Sequence, residues 1–223
     1  MHPSRTRIKI CGLTTPEQAR AAADCGVDAI GLVFYAPSPR AVDIARARAI
    51  CAALPAFVAP VGLFVDADDA YVREVVAALP LQLLQFHGAE SLAYCEQFAR
   101  PYVKALRMRA DADVVAVAAQ YPSARALLLD SYRRGTPGGT GETFDWQRIP
   151  GQLRGRVILA GGLGVDNVAA AVTAIGPAAV DVSGGVESAP GRKDPQKIQQ
   201  FVAQVQLADR QRSASFAASQ DTL

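Results

Sequence analysis

The chain has 223 residues, half of them hydrophobic, and its 23 basic and 21 acidic side chains give a net charge of +2. This length and composition suffice for one sizeable core in a single domain. The near-neutral charge, with no basic patch interleaved with aromatic residues, argues against a nucleic-acid partner. No apolar run is long enough for a membrane span, and no apolar signal-peptide core precedes the first predicted strand, so we expect a cytoplasmic protein with no membrane partner.

The four cysteines are widely spaced and accompany only two histidines. The spacing contains no Cys-x-x-Cys pair, so neither a disulfide framework nor a structural zinc site is indicated. We find no redox cofactor motif either, and the expectation is an activity that needs no metal and no cofactor.

Short apolar runs rich in β-forming residues alternate along the chain with alanine-rich stretches of helical periodicity. The predicted strands are Ile8–Leu13, Ala29–Phe34, Pro60–Val65, Leu83–His87, Val103–Met108, Ala126–Ser131, Val157–Leu163 and Ala179–Val186. The predicted helices include Pro16–Cys25, Ile44–Leu54, Ala70–Leu79, Ser91–Phe98, Ala112–Gln120, Val165–Ile175 and Pro195–Val205, with room for only a short helix in Asp145–Pro150.

Strand–helix repeats with nearly continuous hydrophobic strands indicate a parallel sheet covered on both faces. Eight such units predict an α/β fold, a (β/α)8 TIM barrel in one domain over residues 7–206. Residues 1–6 are predicted as an N-terminal extension, and 207–223 as a flexible C-terminal tail because a clear apolar period is lacking there. A doubly wound open sheet is the alternative, but Cys11-Gly12-Leu13 is not the Gly-x-Gly-x-x-Gly turn that such a sheet usually carries.

A barrel enzyme builds its active site at the carboxyl ends of its strands, and a thiol stands there on the first strand. Cys11 ends an apolar run and is followed by Gly12 and a helix-start pattern. A buried free cysteine is more often a small hydrophobic residue than a catalytic group. Its position at a strand end makes Cys11 a candidate catalytic residue.

A carboxylate occupies the corresponding position on the sixth strand. Asp130 follows four apolar residues, where loss of hydration would raise its pKa unless it is paired, as suits a general acid. The alternative role is a turn or helix cap. Behind it, the loop 132–143 carries Gly138-Gly139-Thr140-Gly141 and is a candidate lid.

Glycine-rich turns end the last two predicted strands. Gly162 lies in the first turn, and Ser183, Gly184 and Gly185 form the second. Glycines let backbone N–H groups approach an anion closely, and a helix that starts behind them adds its positive dipole end. Two such turns on adjacent strands favour a bound phosphate over tight turns alone.

Three further basic side chains lie near these strand ends. Arg40, in a loop bracketed by prolines, can fork onto a carboxylate, although it can equally be an ordinary surface arginine. Lys9 shares a strand face with Cys11, so its ammonium is a candidate for lowering the thiol pKa. Lys9 can instead support carboxylates inside the barrel. His87, before Gly88, is a weaker candidate base.

In its motifs and their order the chain resembles the phosphoribosylanthranilate isomerase family, from Arg7 to about Val205. The motifs are Lys9-Ile10-Cys11-Gly12-Leu13, Gly31-Leu32-Val33-Phe34 leading to Ser38-Pro39-Arg40, Gln85-Phe86-His87-Gly88, Leu128-Leu129-Asp130-Ser131, Gly138-Gly139-Thr140-Gly141 before Phe144-Asp145-Trp146, Leu159-Ala160-Gly161-Gly162-Leu163, and Asp181-Val182-Ser183-Gly184-Gly185-Val186-Glu187. One departure is Gly184, where many members have a second serine, so one hydroxyl donor is absent while the backbone donors remain.

The resemblance implies an Amadori rearrangement of N-(5-phosphoribosyl)anthranilate to 1-(2-carboxyphenylamino)-1-deoxyribulose 5-phosphate in tryptophan biosynthesis. It implies that Cys11 is the general base and Asp130 the general acid. Arg40 would hold the anthranilate carboxylate, and Asp181 would contact the substrate near its amine. The phosphate would lie among Gly162 and Ser183–Gly185. The only partner implied is this small phosphorylated substrate, with a monomer expected and a homodimer left open.

Two other functions fit parts of the sequence. The related isomerase of histidine biosynthesis binds two phosphates and uses two aspartates, whereas this chain has Cys11 and Asp130, and the acidic loop Asp66-Ala67-Asp68-Asp69 would repel a second phosphate. A barrel that binds sugar phosphates without catalysis would not need both Cys11 and Asp130.

Overall fold

A computed structural model describes residues 5–131 and 143–220, and side chains as far as Ala217. Eight parallel strands close into a barrel in the order of the chain. They are β1 (Arg7–Cys11), β2 (Ala29–Val33), β3 (Ala59–Phe64), β4 (Leu83–Phe86), β5 (Tyr102–Met108), β6 (Ala126–Ser131), β7 (Val157–Leu159) and β8 (Ala179–Val182). The predicted (β/α)8 barrel is confirmed, and the open-sheet alternative is excluded because β8 pairs with β1.

Helices follow the strands around the outside of the barrel. They are α1 (Pro16–Asp24), α2 (Ile44–Ala52), α3 (Asp69–Ala78), α4 (Leu92–Glu96), α5 (Val114–Gln120), α6 (Val168–Ile175) and α7 (Pro195–Gln220). Between β6 and β7 the described chain forms only short 3-10 helices, Trp146–Arg148 and Gly151–Arg156. No described helix is both long and apolar enough to cross a membrane.

Local chemistry fixes where the helices begin. Thr15 accepts a hydrogen bond from the backbone N–H of Gln18, and Pro16 takes the first helical position of α1. Asp43, Ser91 and Asp113 cap α2, α4 and α5 in the same way. Such caps stabilise a helix by about 1 kcal/mol each, because they satisfy backbone donors that have no partner within the helix.

The side-chain alternation of the strands separates two apolar regions. Residues facing the helices form the main core, which includes Ile8, Ile10 and Leu32. Residues facing the barrel axis form smaller groups, including Val103, Ala105 and Leu128 around one part of the axis. Because Cys11 lies with Val33 and Leu63 in the other inward group, its thiol points into the barrel mouth.

The predicted boundary at residue 206 and the predicted tail beyond it differ from the structure. Helix α7 runs without a break to Gln220. The side chain of Ala208 is fully buried, and the Asp209 carboxylate accepts hydrogen bonds from the backbone N–H and hydroxyl of Thr6, both at 2.7 Å. Alanine, glutamine and arginine favour a helix without an apolar period, which explains why the pattern missed this segment.

The same contact changes the description of the N-terminal extension. Thr6 is fully buried, and Arg5 pairs with Asp28. Among the residues that the structure describes before β1, the predicted extension is therefore attached to the barrel.

Candidate active site

A cavity of about 700 Å³ opens at the carboxyl ends of the strands. All eight predicted site residues line it: Cys11, Arg40, Asp130, Gly162, Asp181, Ser183, Gly184 and Gly185. They come from β1, β6 and β8 and from the loops after β2, β7 and β8. The carboxyl ends of the parallel strands all lie at the same rim of the barrel, so residues that are far apart in the sequence meet here.

Cys11 is the last residue of β1 and is only 6% exposed. Its sulfur has room because residue 31 is glycine: a Cβ there would lie 2.7 Å from Cys11 Sγ and 3.1 Å from Lys9 Nζ. Burial raises the pKa of the Cys11 thiol, while the positive charges of Lys9 and Lys193 oppose that rise. The resting side chain is therefore a neutral thiol beside two ammonium groups that favour its thiolate.

Lys9 lies one layer below Cys11 and forms a buried ion pair with Asp181, with Nζ 2.9 Å from Oδ1. Both alternatives for Lys9 thus hold in part, since it supports a carboxylate and also lowers the thiol pKa. The net shift of the thiol is nonetheless upward, because burial outweighs the nearby charges.

Asp130, on β6, is linked by hydrogen bonds to His87, which directly follows β4, and through His87 to Gln85, on β4. Its Oδ2 lies 3.1 Å from Nε2 of His87, and Nδ1 of His87 lies 3.0 Å from the amide nitrogen of Gln85. With the Gln85 amide donating to Nδ1, the imidazole carries its proton on Nε2 and donates it to Asp130. His87 is thus a hydrogen-bonded partner of the candidate acid rather than an isolated base.

Gly161 makes room for Asp130 from the neighbouring strand end. It has φ of +76°, and a Cβ at this position would come within 2.0 Å of Ser131 N and 2.7 Å of Asp130 Oδ1. A side chain here would displace the candidate acid, and the positive φ is itself unfavourable for other residues.

The two predicted phosphate turns pack against each other. Asn167 closes the first turn, because its amide donates to Gly162 O at 2.8 Å and accepts from Gly164 N at 2.9 Å. A Cβ on Gly185 would lie 2.0 Å from Leu163 O, so the second turn also needs glycine. Helix α6 begins directly behind, and its N-terminus favours an anion.

Arg40 lines the cavity and is held by Glu187. Its Nε and Nη2 donate to the two carboxylate oxygens of Glu187, each at 2.7 Å. The prediction placed a substrate carboxylate on this guanidinium and gave Glu187 no role. Sequence reasoning also missed Lys193, Asn167 and Arg107, the last of which lines the cavity beside Asp130. The short motif Gly191-Arg192-Lys193 predicts a turn, but the sequence does not show that this turn brings Lys193 back to the cavity.

The proposed lid motif Gly138–Gly141 lies outside the described residues. Within those residues, no group of three or more histidine, cysteine, aspartate or glutamate side chains is arranged to hold a metal ion.

A closed barrel whose mouth carries a thiol, a carboxylate and two glycine-rich turns is typical of barrel enzymes that act on phosphorylated substrates. Residues 8–204 match the sequence profile of the family described as N-(5'phosphoribosyl)anthranilate (PRA) isomerase. The chain belongs to this family of isomerases.

Individual relatives agree with that assignment. The chain is 63% identical over 195 residues to N-(5'-phosphoribosyl)anthranilate isomerase of Cellvibrio japonicus, covering 87% of this chain and 91% of the relative. A crystal structure of monomers of the dimeric phosphoribosylanthranilate isomerase from Thermotoga maritima is similar with a TM-score of 0.79 and 34% identity, covering 90% and 98% of the two chains. A phosphoribosylanthranilate isomerase in complex with reduced 1-(o-carboxyphenylamino)-1-deoxyribulose 5-phosphate has a TM-score of 0.77 and 33% identity, with the same coverage.

Proposed function

We propose that Cys11 and Asp130 are the acid–base pair with which this chain carries out the family's reaction. The reaction converts N-(5-phosphoribosyl)anthranilate to 1-(2-carboxyphenylamino)-1-deoxyribulose 5-phosphate in tryptophan biosynthesis. The observation that carries this proposal is that Cys11 on β1 and Asp130 on β6 line one cavity together with both candidate anion sites.

The reaction begins with ring opening. Protonated Asp130 gives its proton to the furanose ring oxygen, the bond from C1 to that oxygen breaks, and the amine nitrogen supplies the electron pair of the resulting Schiff base. His87 can contact both forms of Asp130. With its proton on Nε2 it donates to the carboxylate, and with its proton on Nδ1 it accepts from the carboxylic acid, provided that the Gln85 amide turns so that its oxygen faces Nδ1.

Proton transfer at carbon follows. The thiolate of Cys11 takes the C2 proton, and the electrons of that C–H bond form the enolamine. When the enolamine relaxes to the ketone, C1 gains the proton held by the Cys11 thiol and the C2 hydroxyl gives its proton to the Asp130 carboxylate. Cys11 is then again a thiolate and Asp130 again a carboxylic acid, as at the start of the reaction.

Two anion sites orient the substrate for these steps. The turns at Gly162 and Ser183–Gly185 bind the phosphate through backbone N–H groups, and Arg40 binds the anthranilate carboxylate. Asp181, held by Lys9, contacts the substrate near its amine. These roles are supported by the shared cavity and by the positive φ and close packing of the glycine turns.

The activity is tested by making the substrate in place. Anthranilate and phosphoribosyl pyrophosphate are coupled through the preceding transferase, and loss of the substrate's fluorescence is followed. We expect turnover that inorganic phosphate inhibits by competition. No loss of fluorescence above the uncatalysed rate would contradict the proposed function.

We propose a monomer. The described large hydrophobic side chains with the most exposure are Phe57, Tyr71, Val115 and Leu207, of which the last three lie on different helices, α3, α5 and α7. Single exposed apolar residues are ordinary for a monomer. The T. maritima relative is described as dimeric, so the oligomeric state of this chain should be measured directly. Sedimentation should give the 23.5 kDa mass of one chain, and twice that mass would contradict the proposal.

The cytoplasm is the proposed location. All four cysteines are free thiols, including two that are only partly buried. Free thiols persist in reducing compartments and are oxidised elsewhere. Fractionation of cells that make the native chain would test this location.

A further inference from the structure

A buried charge cluster lies beside the reacting groups, and the proton transfers make no use of it. After β8 the chain turns through Gly184–Val186 and forms a small antiparallel hairpin of β9 (Glu187–Ala189) and β10 (Arg192–Lys193). Lys193 and Glu187 are paired in the hairpin register. Their side chains are 1% and 6% exposed, so both charges are almost completely removed from water.

Each donor of the Lys193 ammonium has an acceptor. Nζ lies 2.7 Å from Glu187 Oε1, 3.1 Å from Ser183 O and 3.2 Å from Ser183 Oγ. An ammonium has three donors and no acceptor. Lys193 therefore connects Glu187 directly to the phosphate turn and has no N–H left for a ligand.

Glu187 uses both oxygens on the cluster. Oε1 is shared by Lys193 and Nε of Arg40, and Oε2 accepts from Nη2 of Arg40. Burial opposes the charged form, but the hydrogen bonds from Arg40 and Lys193 hold the pKa of Glu187 below its usual value. The carboxylate is thus a permanent negative centre between two cations.

The geometry leaves one edge of the Arg40 guanidinium for a ligand. Glu187 occupies the edge formed by Nε and Nη2, and Nη1 makes no hydrogen bond to residues 5–131 or 143–220, so on that part of the chain the edge formed by Nη1 and Nη2 remains. The arginine stem crosses Gly12, where a Cβ would come within 2.5 Å of Arg40 Cδ. The close packing on Gly12 and the two hydrogen bonds to Glu187 hold Arg40 beside Cys11, where it lines the cavity.

We propose that Glu187 is a positioning residue that, through Lys193, sets the spacing between the carboxylate-binding edge of Arg40 and the phosphate turn. The pair then selects ligands that carry both a phosphate and an aryl carboxylate at that separation. This inference rests on the proposed function, since it takes Arg40 and Ser183–Gly185 as the two anion sites. Two cations around one carboxylate leave a local excess of one positive charge, which suits an incoming anion.

The test compares Glu187→Gln with the wild type on three probes. The first probe is reduced 1-(o-carboxyphenylamino)-1-deoxyribulose 5-phosphate, called the reduced product below. The second is the same compound without its carboxylate, and the third is inorganic phosphate. We expect Glu187→Gln to weaken binding of the reduced product by about 10- to 100-fold, as for a charge-assisted hydrogen-bonded contact. The probes without a carboxylate should change by less than about threefold, the size of a weak contact. In turnover, KM should rise more than kcat falls.

Two outcomes would overturn the inference. Equal weakening of the compounds with and without the carboxylate would make Glu187 only structural, and unchanged binding of both would show that Arg40 needs no support. Asp69→Asn is the matched control, because it neutralises a carboxylate in an exposed pair with Arg73, and it should change none of the binding constants.

Glu187→Asp keeps the test decisive if Glu187→Gln does not fold. Aspartate keeps the negative charge but is one methylene shorter, so it cannot reach both Arg40 and Lys193, and the same selective loss of the carboxylate-bearing probe is expected. A Glu187→Asp variant that binds all three probes as the wild type does would contradict the positioning role. A wild type that binds the reduced product through its carboxylate but does not turn over substrate would refute the proposed function and leave this inference standing.

Discussion

In the proposed mechanism, ring opening depends on Asp130. Asp130→Asn keeps the shape and the contact with His87 but has no acidic proton to deliver. We expect kcat to fall by about 10²–10⁴-fold, the usual range for a lost general acid, while binding of the reduced product is retained. Steady-state kinetics and a binding titration check this. An unchanged kcat would mean that another group, such as Asp181, protonates the ring oxygen.

The pKa of the Cys11 thiol sets how its rate of alkylation depends on pH. Burial raises its pKa, with Lys9 and Lys193 in opposition, so the thiolate is a minor species near neutral pH and grows as the pH rises. The rate of alkylation of Cys11, followed by mass spectrometry of its peptide, should keep increasing above pH ~8.5, the ordinary thiol value. The product should protect the thiol. A plateau below pH 7 would show that the nearby ammonium groups outweigh burial.

At the scale of single residues, the sequence predicts some members of the candidate site and not others. Cys11, Asp130 and the glycine turns could be found because each stands directly after an apolar strand, and the barrel brings all strand ends together. Glu187 and Lys193 could not, because their contacts depend on how the hairpin after β8 folds back over the mouth. The contact between Arg40 and Glu187 joins residues 147 positions apart, which no local pattern predicts.

At the level of elements, the glycine turn after β7 packs closely against the end of β6. Gly161→Ala forces a Cβ against Ser131 N and requires a side chain at positive φ. We expect a loss of about 1–3 kcal/mol in the free energy of unfolding from overpacking, with a lower kcat because Asp130 is displaced. Gly155→Ala is the matched control, since its Cβ would meet nothing within 4 Å. Urea unfolding compares the two variants, and equal stability would contradict this account.

Helix α7 gives the second prediction at this scale. A chain ending after residue 206 loses Ala208 and both hydrogen bonds from Thr6 to Asp209, whereas a chain ending after residue 217 keeps them. We expect the shorter chain to unfold at lower urea, since two hydrogen bonds to a charged group contribute about 1.5–3 kcal/mol each. Equal midpoints for the two truncated chains would support the dispensable tail that the composition predicts.

The elements themselves were largely predictable. Each of the eight predicted strands overlaps an observed one, because a parallel barrel strand buried on both faces is a nearly continuous apolar run. The predicted seventh and eighth strands were too long, since β7 ends at Leu159 and β8 at Val182, where the glycine-rich turns begin. Composition alone does not separate a strand from the turn that follows it.

On the scale of the whole molecule, the residues of the main core and the candidate catalytic residues occupy different parts of the barrel. The main core lies between the strands and helices, whereas the candidate reacting groups lie in the mouth, where Lys9, Asp181, Glu187 and Lys193 form buried ion pairs. Removing one partner of a buried pair leaves an uncompensated charge, so we expect a substitution at any of these four residues to destabilise the mouth.

The most direct test of the account is the turnover of Cys11→Ala, measured as loss of substrate fluorescence, alongside its affinity for the reduced product. If Cys11 is the base, kcat falls by about 10²–10⁴-fold while that affinity stays close to the wild-type value, because the phosphate turns and Arg40 are untouched. A Cys11→Ala enzyme that turns over substrate at nearly the wild-type rate would contradict the central claim.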